Sequence, residues 1–197
     1  MSNIKGKVIL ITGASRGIGA ITAKTMAAAG ARVIINYSRS GAEARKLLKV
    51  IKASGGDAIL VKGDVSSPAD VKAIFNTALD TFGKINILIN NAGIMDIKVL
   101  KENSEEDFER YFNINVKGVF LTLKEAAGKL ADDGVIINIS SGATRFMTPG
   151  YAVYTASKAA VDQMTRVFAR EIGRGITLNA IAPGPTRTGL FLQGKSD

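Results

Sequence analysis

An all-apolar run of four residues, Val8–Ile11, leads straight into Thr12-Gly13-Ala14-Ser15-Arg16-Gly17-Ile18-Gly19, and an Ala-rich stretch follows as far as Ala29. This order constrains the fold more than any other feature of the chain. A strand that is apolar at every position must have both faces covered. Glycines at 13, 17 and 19 let the chain turn tightly and let the next helix pack close to the strand it came from. Strand, glycine turn and helix make the first part of a βαβ unit, and such units build parallel sheets with helices on both faces. The turn also carries a chemical reading. A helix that starts there offers unpaired N–H groups and a partial positive charge to a phosphate. A glycine-rich turn that holds no ligand is the alternative. The spacing is G-x-x-x-G-x-G rather than G-x-G-x-x-G, and no Gly-Lys-Ser/Thr follows, which argues against a P-loop.

The alternation continues along the chain. Arg32–Asn36, Ala58–Val61, Asn86–Ile89, Val135–Ile139 and Ile176–Ile181 read as further strands. Gly41–Ala53 reads as a helix, as does a segment opened by Pro68 that runs to Phe82. Ser104 reads as an N-cap, with Glu105, Glu106 and Asp107 favouring the positive end of a helix expected to reach Leu130. Tyr151–Ile172 is a long helix, and Pro183-Gly184-Pro185 then breaks the pattern. The expected fold class is α/β. It is a Rossmann-like doubly wound parallel sheet of six strands, with helices on both faces, in a single dinucleotide-binding domain over residues 1–197.

Composition narrows the chemistry. The 197 residues are 46% hydrophobic, enough for a full core and far from the composition of a disordered tail. Cysteine and histidine are both absent. That removes disulfides, thiolates, the commonest general base and the commonest metal ligand, and no metal site is expected. Acid–base work must fall to Tyr, Lys, Ser or a carboxylate. The net charge is +9, but the basic residues are scattered among acidic ones and there is no Trp. A nucleic-acid partner is therefore disfavoured, and a polyanionic dinucleotide is the milder reading. No signal-length apolar stretch precedes the glycine turn, and no run approaches the ~18 residues of a membrane helix. A soluble cytoplasmic protein is expected.

In open α/β sheets, ligands bind outside the carboxyl ends of the strands. Gly13–Gly19 follows the first strand, Asn90-Asn91-Ala92-Gly93 ends the fourth, Ser140-Ser141 ends the fifth, and Pro183-Gly184 follows the sixth. The second strand ends in Asn36-Tyr37-Ser38-Arg39, with no carboxylate to bond a ribose or repel a 2′-phosphate. Arg16 and Arg39 could pair with such a phosphate, which favours NADP(H) with NAD(H) as the alternative, or could be ordinary solvated charges. Asp64-Val65 ends the third strand, where the Asp could accept from an adenine amino group or cap the Ser66–Pro68 turn. Tyr154 and Lys158, four apart, are neighbours on one helical face. A free phenol has a pKa of ~10, and a nearby ammonium would lower it. Ser141 could hydrogen-bond a substrate oxygen. Taken alone, the Tyr and Lys could equally be an ordinary exposed pair.

In this order, Thr-Gly-x-x-x-Gly-x-Gly, Asn-Asn-Ala-Gly, Ser141 and Tyr154-x-x-x-Lys158 resemble the short-chain dehydrogenase/reductase family across essentially the whole chain. The resemblance implies an oxidoreductase in which Tyr154 is the general acid/base. Lys158 would lower its pKa and bind the nicotinamide ribose, and Ser141 would position the carbonyl. Asn115, in Asn113-Ile114-Asn115-Val116-Lys117-Gly118, would anchor a proton-relay water. A mid-helix Asn could instead merely bend or bond its own helix. The thirteen-residue step to Tyr154 matches the family at Ser141 rather than Ser140. The implied cofactor contacts are Gly13, Ser15, Arg16, Gly17, Ile18, Gly19, Ser38, Arg39, Asp64, Val65, Asn91, Ala92 and Gly93, with Tyr154 and Lys158. Asn91 would sit near the adenosine ribose, and Pro183, Gly184, Thr186 and Thr188 would lie at the nicotinamide end.

Among subfamilies, the chain looks like 3-oxoacyl-acyl-carrier-protein reductases and related NADPH-dependent ketoreductases. That implies a small carbonyl or alcohol substrate and a homo-oligomer, a dimer or tetramer in the full-length family form. A dinucleotide-binding sensor with little turnover is the alternative. The family usually continues past Thr188 into a substrate-covering loop and a seventh strand, whereas this sequence ends at Asp197. The expectation is that this length lacks most of that cover, binds NADPH and reduces ketones poorly.

Overall fold

Six parallel strands, in the order β3-β2-β1-β4-β5-β6, organise residues 4–189, the part of the chain that the computed structural model describes. The strands are β1 Val8–Ile11, β2 Arg32–Tyr37, β3 Asp57–Lys62, β4 Ile85–Asn90, β5 Leu130–Ile139 and β6 Thr177–Ile181. The chain starts at the centre, winds outward to β3, then returns past β1 to β4. The switch of direction therefore falls between β1 and β4, which pair through Ile9↔Ile87 and Ile11↔Ile89. This is the doubly wound Rossmann-like topology expected from the alternation.

The helices are α1 Gly17–Ala28, α2 Gly41–Ala53, α3 Pro68–Phe82, α4 Glu105–Tyr111, α5 Gly118–Lys129, α6 Ala143–Phe146 and α7 Ala152–Glu171. β1 shows why its strand is apolar throughout. Val8 and Leu10 point into a core with Val71, Phe75, Leu123 and Val161, on the side of α3, α5 and α7. Ile9 and Ile11 point the other way, into a core with Ala23, Ala27 and Ile51 from α1 and α2. Full burial of each such side chain contributes about 1.5–3 kcal/mol. Helix boundaries follow local chemistry. Ser67 caps α3 by accepting from the Asp70 amide, Pro68 opens it, and Gly83 ends it at φ +75°. Ser104 and Asp107 form a reciprocal capping box at the start of α4.

Two expectations need correction. The single helix expected from Ser104 to Leu130 is three pieces, because a π-helical segment, Phe112–Lys117, separates α4 from α5. The widened turn lies where Tyr111 and Asn115 bond to the loop after β4. At its end, a Cβ on Gly118 would stand 2.8 Å from a Val65 methyl, so the helix runs against the segment after β3 as closely as glycine allows. Strand β5 starts at Leu130, not Val135. Its polar first part, Ala131-Asp132-Asp133-Gly134, pairs irregularly, with Leu130 opposite Ile85 and a register shift before Ile87. Arg174 supports it by donating to the Leu130 carbonyl and to Asp132. Such tertiary pairing overrides an unpromising local pattern. A 3-10 turn at Leu100–Glu102 and the short α6 were not expected. Among the described residues no helix is long and apolar enough to cross a membrane.

Candidate active site

The carboxyl edge of the sheet opens into a cleft of about 880 Å³ above the switch point. At one end the glycine turn forms its wall. Gly13 and Gly17 take φ +60° and +59°, a region that other residues enter at a cost. A Cβ on Gly13 would lie 2.8 Å from the Ala92 Cα, so the turn presses directly on the end of β4. Side chains fasten this contact. Thr12 Oγ1 accepts from the amides of Asn91 (3.0 Å) and Ala92 (3.1 Å). Asn91 Nδ2 donates back to the carbonyls of Thr12 (2.9 Å) and Gly13 (3.0 Å). On the other flank, Asn36 Oδ1 accepts from the Gly13 amide at 3.2 Å, while Asn36 Nδ2 donates to the carbonyls of Val61 and Gly63. One buried amide thus ties together the ends of β1, β2 and β3.

Ser15, Arg16, Gly17 and Ile18 line the cleft at the N-terminus of α1, whose first turn holds no acidic residue to offset its positive end. Gly19 does not line it. A Cβ there would meet Asn91 Nδ2 at 2.5 Å and the Ala14 Cα at 2.9 Å, so this glycine serves the packing of helix on sheet. Ser38, Arg39, Asp64 and Val65 line the same end, and Arg16 and Arg39 are exposed. Asp64 Oδ1 accepts from the amide (2.9 Å) and hydroxyl (2.7 Å) of Ser66, so the turn-capping role is realised in a residue that also faces the cleft. Burial pushes its carboxyl pKa up. The Ser66 bonds, the Arg39 charge and a Ser38 bond outweigh that and hold it below the usual carboxylate value.

The other end is built by α7 and by the segments after β4, β5 and β6. Tyr154 and Lys158 are buried, 8% and 5% exposed, yet both face the cleft with Ser141. Lys158 Nζ donates to the Ile139 carbonyl at 2.7 Å. Burial lowers its pKa to about 8, against the opposing charge of Asp162. Burial also raises the Tyr154 pKa, opposed by a hydrogen bond with Ser141. The expected depression of the phenol by Lys158 is therefore not present in the chain by itself. The ammonium is turned to the Ile139 carbonyl, and desolvation of the phenolate dominates. Gly93 lies against this group: a Cβ there would be 3.4 Å from Lys158 Nζ and 3.2 Å from Asn115 Oδ1. Ala92, Gly93, Pro183, Gly184, Thr186 and Thr188 also line the cleft.

Asn115 is fully buried behind the wall rather than in it. Its Oδ1 accepts from the Ile94 amide (2.9 Å), and its Nδ2 donates to the Ile94 carbonyl (3.0 Å) and to Ser157 Oγ (3.0 Å). It bonds a neighbouring loop, not its own helix. Ser157 Oγ in turn donates to the Tyr154 carbonyl at 2.6 Å. Ser140 also lines the cleft, but its buried hydroxyl has no partner among the described residues, whereas Ser141 is the serine bonded to Tyr154.

Several lining residues escaped the sequence reading: Asn36, Met95, Asp96, Arg110, Phe146 and Tyr151. A polar residue closing the apolar run Val33–Ile35 was a usable signal for Asn36. The others sit on irregular segments with no period to betray their direction. Among the described residues no group of three or more His, Cys, Asp or Glu could hold a metal ion.

The short chain dehydrogenase family profile matches residues 7–196. A short-chain type dehydrogenase/reductase of Picea abies is 45% identical over 98% of this chain and 75% of its own length. An Arabidopsis thaliana protein described as an NADPH-dependent aldehyde reductase-like protein, chloroplastic, is 41% identical over 98% of this chain and 77% of its own. The crystal structure of a short chain dehydrogenase from Burkholderia cenocepacia in complex with NADP superposes with a TM-score of 0.91 at 39% identity. It covers 96% of this chain and 78% of that one.

Proposed function

Since the chain belongs to the short chain dehydrogenase family, we propose that it reduces a ketone, of 3-oxoacyl type or another small carbonyl, to the alcohol with NADPH. The fit to the cofactor rests on the cleft itself. Gly13 and Gly17 open a turn at a helix N-terminus without acidic residues, suited to a pyrophosphate. Arg16 and Arg39, with no carboxylate at the end of β2, suit a 2′-phosphate. When bound, the reduced nicotinamide supplies a hydride to the carbonyl carbon.

The chain's own residues manage the proton. Ser141 and Tyr154 donate hydrogen bonds to the carbonyl oxygen. As charge builds on that oxygen, the Tyr154 phenol passes it a proton. The observation that carries this reading is that Ser141, Tyr154 and Lys158 face one cleft together, with Tyr154 and Lys158 one turn apart on α7. Burial keeps the phenol protonated, so its proton is in place to be given. Lys158, still charged at neutral pH with a pKa of about 8, then stabilises the phenolate and donates to the ribose hydroxyls. Both Asn115 amide protons are already given to Ile94 and Ser157. A relay water would therefore meet an acceptor there, the Oδ1 or the backbone carbonyl. A cytoplasmic homo-oligomer, dimer or tetramer, completes the proposal.

Tyr154→Phe tests it against a panel of ketones. Turnover should fall by at least about a thousandfold, with the NADPH dissociation constant within about threefold of the parent. Retained turnover, or loss of cofactor affinity in step with turnover, would contradict the role.

A further inference from the structure

The segment after Gly93 is not a strand of the sheet, yet its backbone is paired at alternate residues. Ile94 exchanges both its amide and its carbonyl with the side-chain amide of Asn115. Asp96 does the same with one hydroxyl: its amide donates to Tyr111 Oη, and that hydroxyl donates to the Asp96 carbonyl at 3.0 Å. Tyr111 and Asn115 are four residues apart, at the entrance to and within the π-helical segment. Two-way bonds at every second residue are the pattern of a strand ladder, with side chains here in place of a neighbouring strand. Arg110 Nη2 adds a bond to Asp96 Oδ2 at 2.7 Å, on the exposed side.

Met95 stands between the two clamped residues. It is 7% exposed, lines the cleft, and packs in one buried cluster with Tyr111, Val153 and Tyr154. Tyr111 is 2% exposed and does not line the cleft. Its polar end is spent on Asp96 and its ring on Met95's cluster.

We propose that Tyr111 is a positioning residue that fixes Met95 against Tyr154 and so sets the shape of the carbonyl end of the cleft. This rests on the reading of that end as the place where a carbonyl is reduced. Tyr111→Phe keeps the ring but removes both bonds to Asp96. Part-buried backbone groups that lose a hydrogen bond favour local opening. The 94–96 segment should then open more often, and Met95 should no longer be held in one place, while the glycine turn is untouched.

Two readouts test it. Amide hydrogen exchange on the full chain, with no substrate or cofactor, should speed up at residues 94–96 by about tenfold in Tyr111→Phe, with residues 13–19 unchanged. In a double-mutant cycle with Met95→Leu, using a ketone that the parent reduces, Tyr111→Phe alone should lower kcat/KM by about tenfold at constant NADPH affinity. In the Met95→Leu background it should lower it by less than about threefold. Unchanged exchange, or two effects that simply multiply, would overturn the proposal. If the parent reduces no ketone, the reading of the site fails, and the exchange result still decides whether Tyr111 clamps the segment.

Discussion

The two ends of the cleft are built from different materials. At the glycine turn, the main chain sets the shape and the short side chains of Thr12, Asn36 and Asn91 only fasten it: positive φ angles fall on Gly13 and Gly17, and a missing side chain at Gly13 lets β1 meet β4. At the Tyr154 end, shape comes from longer side chains that reach across to backbone groups, as Asn115 does to Ile94, Tyr111 to Asp96 and Lys158 to Ile139. There an ordinary residue bears the left-handed conformation, Met147 at φ +47°, beside Phe146 on the cleft wall. Main-chain construction leaves few ways to vary and suits a ligand part that is always the same. Side-chain construction permits exchange of one residue at a time and suits a part that differs between enzymes. It also places buried, desolvated polar groups where chemistry can use them.

The sharpest way to break this contrast is Gly13→Ala. The new Cβ would face the Ala92 backbone at 2.8 Å from a left-handed position, and neither partner can yield cheaply. Dinucleotide affinity should fall by more than about a hundredfold, with several kcal/mol lost from stability. Titration of NADPH alongside a denaturant melt would check both, and a near-normal affinity would show that the turn is softer than described.

Next in size is Lys158→Met. In the unfolded chain this amine keeps its ordinary pKa of 10.5, whereas burial brings it to about 8 in the fold. The unfolded state therefore holds the proton more tightly, and the buried ammonium costs stability. That cost is fully present below pH 8, shrinks as pH rises from 8 to 10.5, and is gone above it. It amounts to ~3 kcal/mol, less about 1 kcal/mol for the bond to Ile139. The methionine variant should therefore be more stable than the parent by about 2 kcal/mol at pH 7 without cofactor, and should bind NADPH poorly. Melts at pH 7 and pH 10 would show the gain and its loss. A destabilised variant at pH 7 would mean that Lys158 is held by more than one carbonyl.

The smallest effect concerns Met147. Glycine relieves the left-handed strain of about 1–2 kcal/mol but adds freedom to the unfolded chain, so Met147→Gly should be stabilising by roughly 0.5 kcal/mol. A thermal melt resolves that difference, and a clear loss would mean that the exposed Met147 side chain holds the loop.

The same contrast explains what could be read from sequence. Val8–Ile11 and the three glycines are local signals, and they placed β1, the turn and α1 almost to the residue. That Tyr154 and Lys158 share one face is legible from their four-residue spacing on a helix, whereas Ser141, and the reading of the pair as more than an exposed Tyr and Lys, came from the family resemblance. Tyr111 and Met95 were not legible, because their roles depend on partners 15 to 59 positions away, and Asn36 carried only the faint signal of a polar residue closing an apolar run, with its bonding partners 23 to 27 positions away. The break at Phe112–Lys117 was hard to see for the same reason: its Asn and β-branched residues weaken a helix without marking a break, and the loop it serves lies elsewhere in the chain. The pKa of Tyr154 was misjudged because proximity in sequence gave the ammonium without its orientation.

The most direct test of the account is a pair of dissociation constants, for NADPH and NADH, on the unmodified chain. The glycine-turn end should select the 2′-phosphate through Arg16 and Arg39, with no carboxylate at Ser38 to oppose it. NADPH is therefore expected to bind at least about tenfold more tightly, with the difference shrinking as salt is raised. Equal binding, or tighter binding of NADH, would contradict the assignment of that end of the cleft.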